Sequence, residues 1–208
     1  MSVHKSRREL IGGHLAAMAG LTAYAQCACG EGDVSRSLRL SAEETRECET
    51  VPLAFGQKIS CRHSDLKDGR LRECRATQNC VSSSAVRVPE RYVPPWSYEG
   101  SFEDRQSDPR AAWNKLVQTV TFWPEATVKR VDDERLYLRA EVPSFIPGGY
   151  DDIEFLMKPD LKLCLASSRS RDTIFVFPFT TPLGDNDSNR KRLEEIRQVL
   201  GWPAVTTY

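Results

Sequence analysis

The sequence predicts an α+β domain in which an antiparallel meander of four to five strands packs against two helices, preceded by an irregular, cysteine-containing N-terminal extension. Three observations predict it. Apolar residues recur at helical spacing in two separated segments, period-two alternation fills the interval between them, and the charged chain before residue 74 shows neither period.

The first helix is announced by Asp108-Pro109, a capping carboxylate followed by proline at the first helical position. Ala112, Trp113, Leu116, Val117 and Val120 then fall on one face. Beyond Pro124 the period changes to two. Val128 starts a strand, Asp132-Asp133-Glu134 turns it, and Leu136, Leu138, Ala140 and Val142 alternate with Tyr137, Arg139 and Glu141. Pro147-Gly148-Gly149 separates this strand from a third, Asp152 to Met157. A tight turn at Pro159-Asp160 returns the chain through Leu161 to Ser170. Pairing Lys158 with Leu161 sets Phe155 opposite Cys164 and Ile153 opposite Ala166. Asp152 and Glu154 then share a face with Ser167, Arg169 and Arg171. A fifth strand, Thr173 to Phe179, is apolar on both faces, and Pro178 makes it an edge or a strand end. The last helix runs from near Ser188 to just before Gly201, with Leu193, Ile196, Val199 and Leu200 inward. The stretch from Thr77 to Pro95 reads as loop.

The 208 residues carry 29 basic and 29 acidic side chains, so no excess of positive charge draws the chain to nucleic acid or acidic lipid. The N-terminus reads as an export address. Arg7-Arg8 stand in a short basic segment, a weakly apolar run follows from Leu10, and small residues flank Tyr24, which predicts cleavage after Ala25. A membrane span needs about 20 apolar residues; this run is shorter and interrupted by Gly12, Gly13, His14 and Gly20. A retained anchor is the second reading, and the mature chain contains no span. The expected organisation is a signal peptide at 1–25, an extension at 26–73 and a domain at 74–208.

Seven cysteines lie beyond the predicted cleavage point: Cys27, Cys29, Cys48, Cys61, Cys74, Cys80 and Cys164. Export permits disulfides, so up to three bridges and one thiol are expected, with Cys164 the buried free thiol. Spacers of one, 18, 12, 12 and five residues, with His63 the single histidine after Ala25, do not suit zinc; neither metal nor cofactor is expected.

Four segments resemble the domain of unknown function 1499 family over residues 74 to 202: Cys74-Arg-Ala-Thr-Gln-Asn-Cys80-Val-Ser-Ser, Asp151-Asp-Ile-Glu-Phe155, Ser168-Arg-Ser-Arg171 and Asn189-Arg-Lys-Arg192. Cys74 and Cys80 are bridge candidates. Arg75, Gln78 and Ser167 depart from the residues usual in that family. The segment from Phe175 to Glu194 is similar to plant and algal members, which implies a chloroplast and, with the twin-arginine segment, the thylakoid lumen. No Ser- and Arg-rich transit sequence precedes Arg7, so either a leader is missing from this sequence or the destination is a bacterial periplasm.

Three sets of candidate site residues follow. Asp152, Glu154, Arg169 and Arg171 form either an acid/base or anion-clamping cluster or a cross-strand ion-pair network. Asn189 and Arg190 open the last helix, where Arg190 and Lys191 meet an anion, pair with Glu194 and Glu195, or, for Arg190, reach Asp152 or Glu154. Phe175 and Phe177 are either a docking surface or buried strand residues. A serine triad would have to recruit His63 from the irregular extension, and the Cys74 to Cys80 loop lacks the C-x-x-C of thioredoxin-type catalysts. The expected function is therefore a non-enzymatic accessory or assembly factor for photosynthetic membrane complexes, with the twin-arginine translocase as partner in export. The alternative is a small-ligand carrier or enzyme using the carboxylate and arginine cluster.

Overall fold

The computed structural model describes residues 47–62, 66–99 and 108–205. The twin-arginine pair, the cleavage point after Ala25, Cys27, Cys29 and His63 lie outside the described residues.

Among the described residues, two antiparallel sheets and two α-helices make the fold. The main sheet contains β3 (Cys80–Ser82), β4 (Trp96–Ser97), β5 (Thr127–Asp132), β6 (Tyr137–Pro143), β7 (Tyr150–Lys158) and β8 (Leu163–Ser170). Its order is β3-β8-β7-β6-β5, with β4 also pairing β8. A smaller sheet has the order β1-β2-β9, from β1 (Cys48–Leu53), β2 (Gly56–Cys61) and β9 (Asp172–Val176). The helices are α1 (Pro109–Thr121) and α2 (Ser188–Leu200).

The Asp108 carboxylate caps α1 as expected, accepting from the Arg110 and Ala111 amides at 3.0 and 3.2 Å. Ala112, Trp113, Leu116 and Val120 of α1 join Leu193, Ile196 and Leu200 of α2 in one core with Leu138, Ala140, Ile153, Phe155, Met157 and Ala166 of the sheet. The free Cys164 thiol is buried in this core, and burial pushes its pKa up. Val199, expected inward, is exposed; the inward stripe is the narrower 193, 196, 200 set. Gly201 ends α2 at φ 67°, the left-handed conformation that suits a glycine cap.

Four further features differ from the sequence expectation. Residues 48–61, expected to be irregular, form the β1–β2 hairpin. β1 is an edge strand exposed along almost its whole length, so its sequence shows no buried face, and Pro52 is tolerated there. β3 lies within the predicted loop, where its three residues are too few to show a period. The β7–β8 register places Lys158 opposite Leu163 rather than Leu161. The connection takes a 3-10 turn at Pro159–Leu161 and a left-handed Lys162, which adds two residues. A two-residue change preserves the faces, so Phe155 lies opposite Ala166 and Ile153 opposite Ser168.

Finally, β9 leaves the main sheet. Arg171 is the corner: its amide donates to Tyr150 O at 3.0 Å, while its carbonyl accepts from the Cys61 amide at 2.8 Å. The strand ends at Val176, before a cis Phe177-Pro178 peptide. Residues 66–75 lie over the face of the main sheet opposite the helices, where Leu71 packs against Tyr137 and Leu156.

Candidate functional site

The alternation of β7 and β8 sorts the family-like motifs onto both faces of the main sheet. On the face away from the helices, Asp152 stands opposite Arg169 in β8 and Glu141 in β6, while Glu154 stands opposite Ser167 and Arg139. Arg171 grips Asp152 with two nitrogens, Nε to Oδ2 and Nη2 to Oδ1, each at 2.8 Å. Arg139 Nη1 adds a third contact to Asp152 at 3.2 Å. Arg171 also pairs with Glu141, which Lys129 holds at 2.9 Å. Glu154 accepts from the Tyr137 hydroxyl at 2.7 Å and pairs with Arg169 at 3.0 Å. Arg169 in turn donates to Ser167 Oγ and Arg72 O.

This cluster is a network of interleaved charges, with Lys129 at its edge. Three carboxylates (Glu141, Asp152, Glu154) interleave with three guanidiniums (Arg139, Arg169, Arg171). Hydrogen bonding to Asp152 raises the Arg171 pKa further above its already high ordinary value, so this cation is permanent. Burial works against ionisation of Glu141, yet hydrogen bonds from Lys129 and Arg171 hold its pKa below the usual range. Asp152 and Glu154 are each 1 % exposed. A substrate would have to displace arginines and the segment carrying Leu71 to reach either carboxylate.

The helix face holds a second polar network, which the sequence reading did not assemble. Asn189 sits at its centre. Its carboxamide oxygen accepts from Ser168 Oγ at 2.5 Å, and its nitrogen donates to Ser170 Oγ at 3.0 Å and Asp185 Oδ2 at 2.6 Å. Arg192 donates to Ser168 Oγ at 3.1 Å and pairs with Asp151 at 2.9 Å. Burial pushes the Asp151 carboxyl above its ordinary value, opposed by the charge of the adjacent Arg192. A signal for Asp151 was present: it shares parity with Ile153 and Phe155, so it points into the core, where a carboxylate needs a partner. Asp185 caps α2 from outside the helix by accepting from the Asn189 amide at 3.1 Å.

The remaining candidates separate. Arg190 reaches neither Asp152 nor Glu154 but donates to Glu90 O at 2.7 Å and Tyr92 O at 3.1 Å. Lys191 donates to Asn186 O at 2.9 Å, and Glu194 is held by Arg197. Phe175 is buried in a small core with Ile59 and Cys61, whereas Phe177 is 45 % exposed. Cys74 and Cys80 are bridged to each other, and Cys48 is bridged to Cys61. Among the described residues there is no group of three or more metal-binding side chains, and no helix is long and apolar enough to cross a membrane.

Fold and site together define a disulfide-bearing α+β domain whose central strands carry buried ionic and amide networks on both faces. The chain belongs to the family described as protein of unknown function (DUF1499), whose model matches residues 70–200. It is 30 % identical over 151 residues to the thylakoid lumenal 17.9 kDa protein, chloroplastic, of Arabidopsis thaliana, an alignment covering 68 % of this chain and 60 % of that protein. The chain thus matches about three fifths of that relative's length. No solved structure matches the chain.

Proposed function

We propose that the protein is a non-enzymatic accessory factor of the thylakoid lumen, delivered by the twin-arginine segment at Arg7-Arg8, that docks onto photosynthetic membrane complexes. The observation that carries the docking reading is an apolar tip on the small sheet. Phe55, in the β1–β2 turn, is 82 % exposed, and Phe179 is 66 % exposed. The Phe177 amide donates to Phe55 O at 3.0 Å, which brings the hairpin turn and the segment after β9 side by side. Exposed aromatic residues gathered at one end of a fold are the usual mark of a contact surface. The lumenal address is supported by the name of the Arabidopsis relative.

The alternative, a ligand carrier or enzyme acting through Asp152, Glu154 and Arg171, is disfavoured because both carboxylates are buried and already held, Asp152 by Arg171 and Arg139 and Glu154 by Tyr137 and Arg169.

The test is a triple variant, Phe55→Ser, Phe177→Ser and Phe179→Ser, compared with the native chain by mild crosslinking and co-purification from solubilised thylakoids. Exposed substitutions of this kind change stability by only about 0.5 kcal/mol each, so the variant should remain folded and lose recovery with the complexes. Recovery of the native chain solely as a free monomer would overturn the proposal.

A further inference from the structure

The two bridges occupy different settings. Cys74–Cys80 closes the loop from which Arg75 projects, and Arg91 fastens that loop by donating to Arg75 O and to Ala76 O. Cys48–Cys61 joins the open ends of the β1–β2 hairpin, and both of its cysteines line a cleft of about 410 Å³. Arg75 Nη1 lies 3.1 Å from Cys48 Sγ. Among the described residues, Glu47 pairs with both Arg72 and Arg75 beside this sulfur. The charged groups that line the cleft besides Glu47 are, among the described residues, Glu49, Arg62, Arg171 and Asp172. Arg171 is committed to Asp152 and Glu141, and Asp172 accepts from Ser60 Oγ.

We propose that Cys48–Cys61 is a thiol–disulfide exchange site for an external dithiol, with Cys48 as the leaving sulfur and Arg75 as the cation that stabilises its thiolate. A thiolate of the dithiol attacks Cys61 Sγ from the cleft that this residue lines, although Cys61 is only 4 % exposed. A bond forms between those sulfurs as the Cys48–Cys61 bond breaks, and its electron pair leaves on Cys48 beside Arg75. The second thiol of the dithiol, deprotonated by solvent, then attacks its own mixed-disulfide sulfur and releases Cys61 as a thiolate, which takes a proton from solvent. The protein disulfide gains two electrons and the dithiol leaves oxidised. An adjacent cation lowers a cysteine pKa and so makes it a faster leaving group. The hairpin has an anchor besides the bridge, since β2 pairs with β9 from Gly56↔Val176 to Ser60↔Asp172, so exchange can proceed on the folded domain.

The test treats the native full-length chain with graded dithiothreitol and maps each cysteine by differential alkylation, while far-UV circular dichroism reports the fold. Cys48 and Cys61 should open before Cys74 and Cys80 without loss of dichroism. Cys48 in the reduced protein should titrate at least one unit below the ordinary thiol value of about 8.5. Arg75→Gln should slow the opening at least threefold and return the Cys48 titration toward the ordinary value, and Arg75→Lys should restore both. Opening of Cys74–Cys80 first, opening that accompanies unfolding, or an ordinary Cys48 titration would each overturn the assignment, the order of opening in the native chain being decisive whether or not Arg75→Gln folds.

Discussion

Removing Arg169 is the sharpest test of the network on the face opposite the helices. Its guanidinium pairs with Glu154 at 3.0 Å and donates to Ser167 Oγ and Arg72 O, and it is 6 % exposed. Arg169→Ala leaves the buried Glu154 carboxylate without this cation and the Arg72 carbonyl without this donor. Deleting one partner of a buried ion pair costs about 3–5 kcal/mol, which in a domain of this size lowers the melting temperature by about 10 °C or more. A solvent-exposed pair supplies the control. Arg110 and Asp133 also meet at 3.2 Å but are 56 % and 67 % exposed, so Arg110→Ala should cost about 1 kcal/mol or less. The double variant Arg169→Met with Glu154→Gln removes both charges while keeping an acceptor for the Tyr137 hydroxyl, and should recover at least half of the loss. Urea unfolding of the oxidised protein, followed by the fluorescence of the buried Trp96, Trp113 and Trp202, measures all three with a common m-value. If Arg169→Ala is no more damaging than Arg110→Ala, the pair does not stabilise the sheet and the structural reading of the motif fails.

Two further predictions concern other parts of the fold. Burial raises the pKa of Asp151, so the folded state holds this proton more tightly than the unfolded chain. Its contribution is full below the unfolded value of about 3.9 and is lost as pH rises through the folded value. Relative to Asp151→Asn, the native chain should therefore gain stability as pH falls from 7 to about 4, and parallel melting-temperature curves would refute this. At Gly56 an added Cβ would lie 1.8 Å from the Phe175 carbonyl oxygen in β9, a contact between backbones that cannot relax without opening the β2–β9 pairing. Gly56→Ala should cost about 1–3 kcal/mol and strip hydrogen-exchange protection from β2 and β9 while β7 and β8 keep theirs.

The meander was legible because β6, β7 and β8 each bury one apolar face against the helices, and Asp108-Pro109 and Gly201 mark where α1 starts and α2 stops. The sharing of a face by Asp152, Glu154, Arg169 and Arg171 was legible for the same reason, since parity survives a two-residue change of register. Their true neighbours were not. Tyr137, Arg139 and Glu141 join the network only because β6 pairs with β7 in a register set by the turn at Pro147-Gly148-Gly149. The Asp151–Arg192 contact depends on how α2 lies across the sheet, which no local pattern encodes. The small sheet was hidden because its recognition is tertiary. β1 offers solvent-facing residues, and β9 looks like a continuation of β8 until Arg171 turns its carbonyl toward Cys61.

The passage of β8 into β9 through that corner has a consequence for the order of assembly. During synthesis β1, β2 and β3 leave the ribosome first, yet β2 and β3 pair with β9 and β8, which are made near the end of the domain. The meander from β5 to β8, built from neighbouring segments, can form while the earlier strands still await their partners. Both described bridges, by contrast, span only 13 and six positions. Each spans so little chain that, once an oxidising compartment is reached, it can close within its own hairpin or loop independently of the meander and of the late strands.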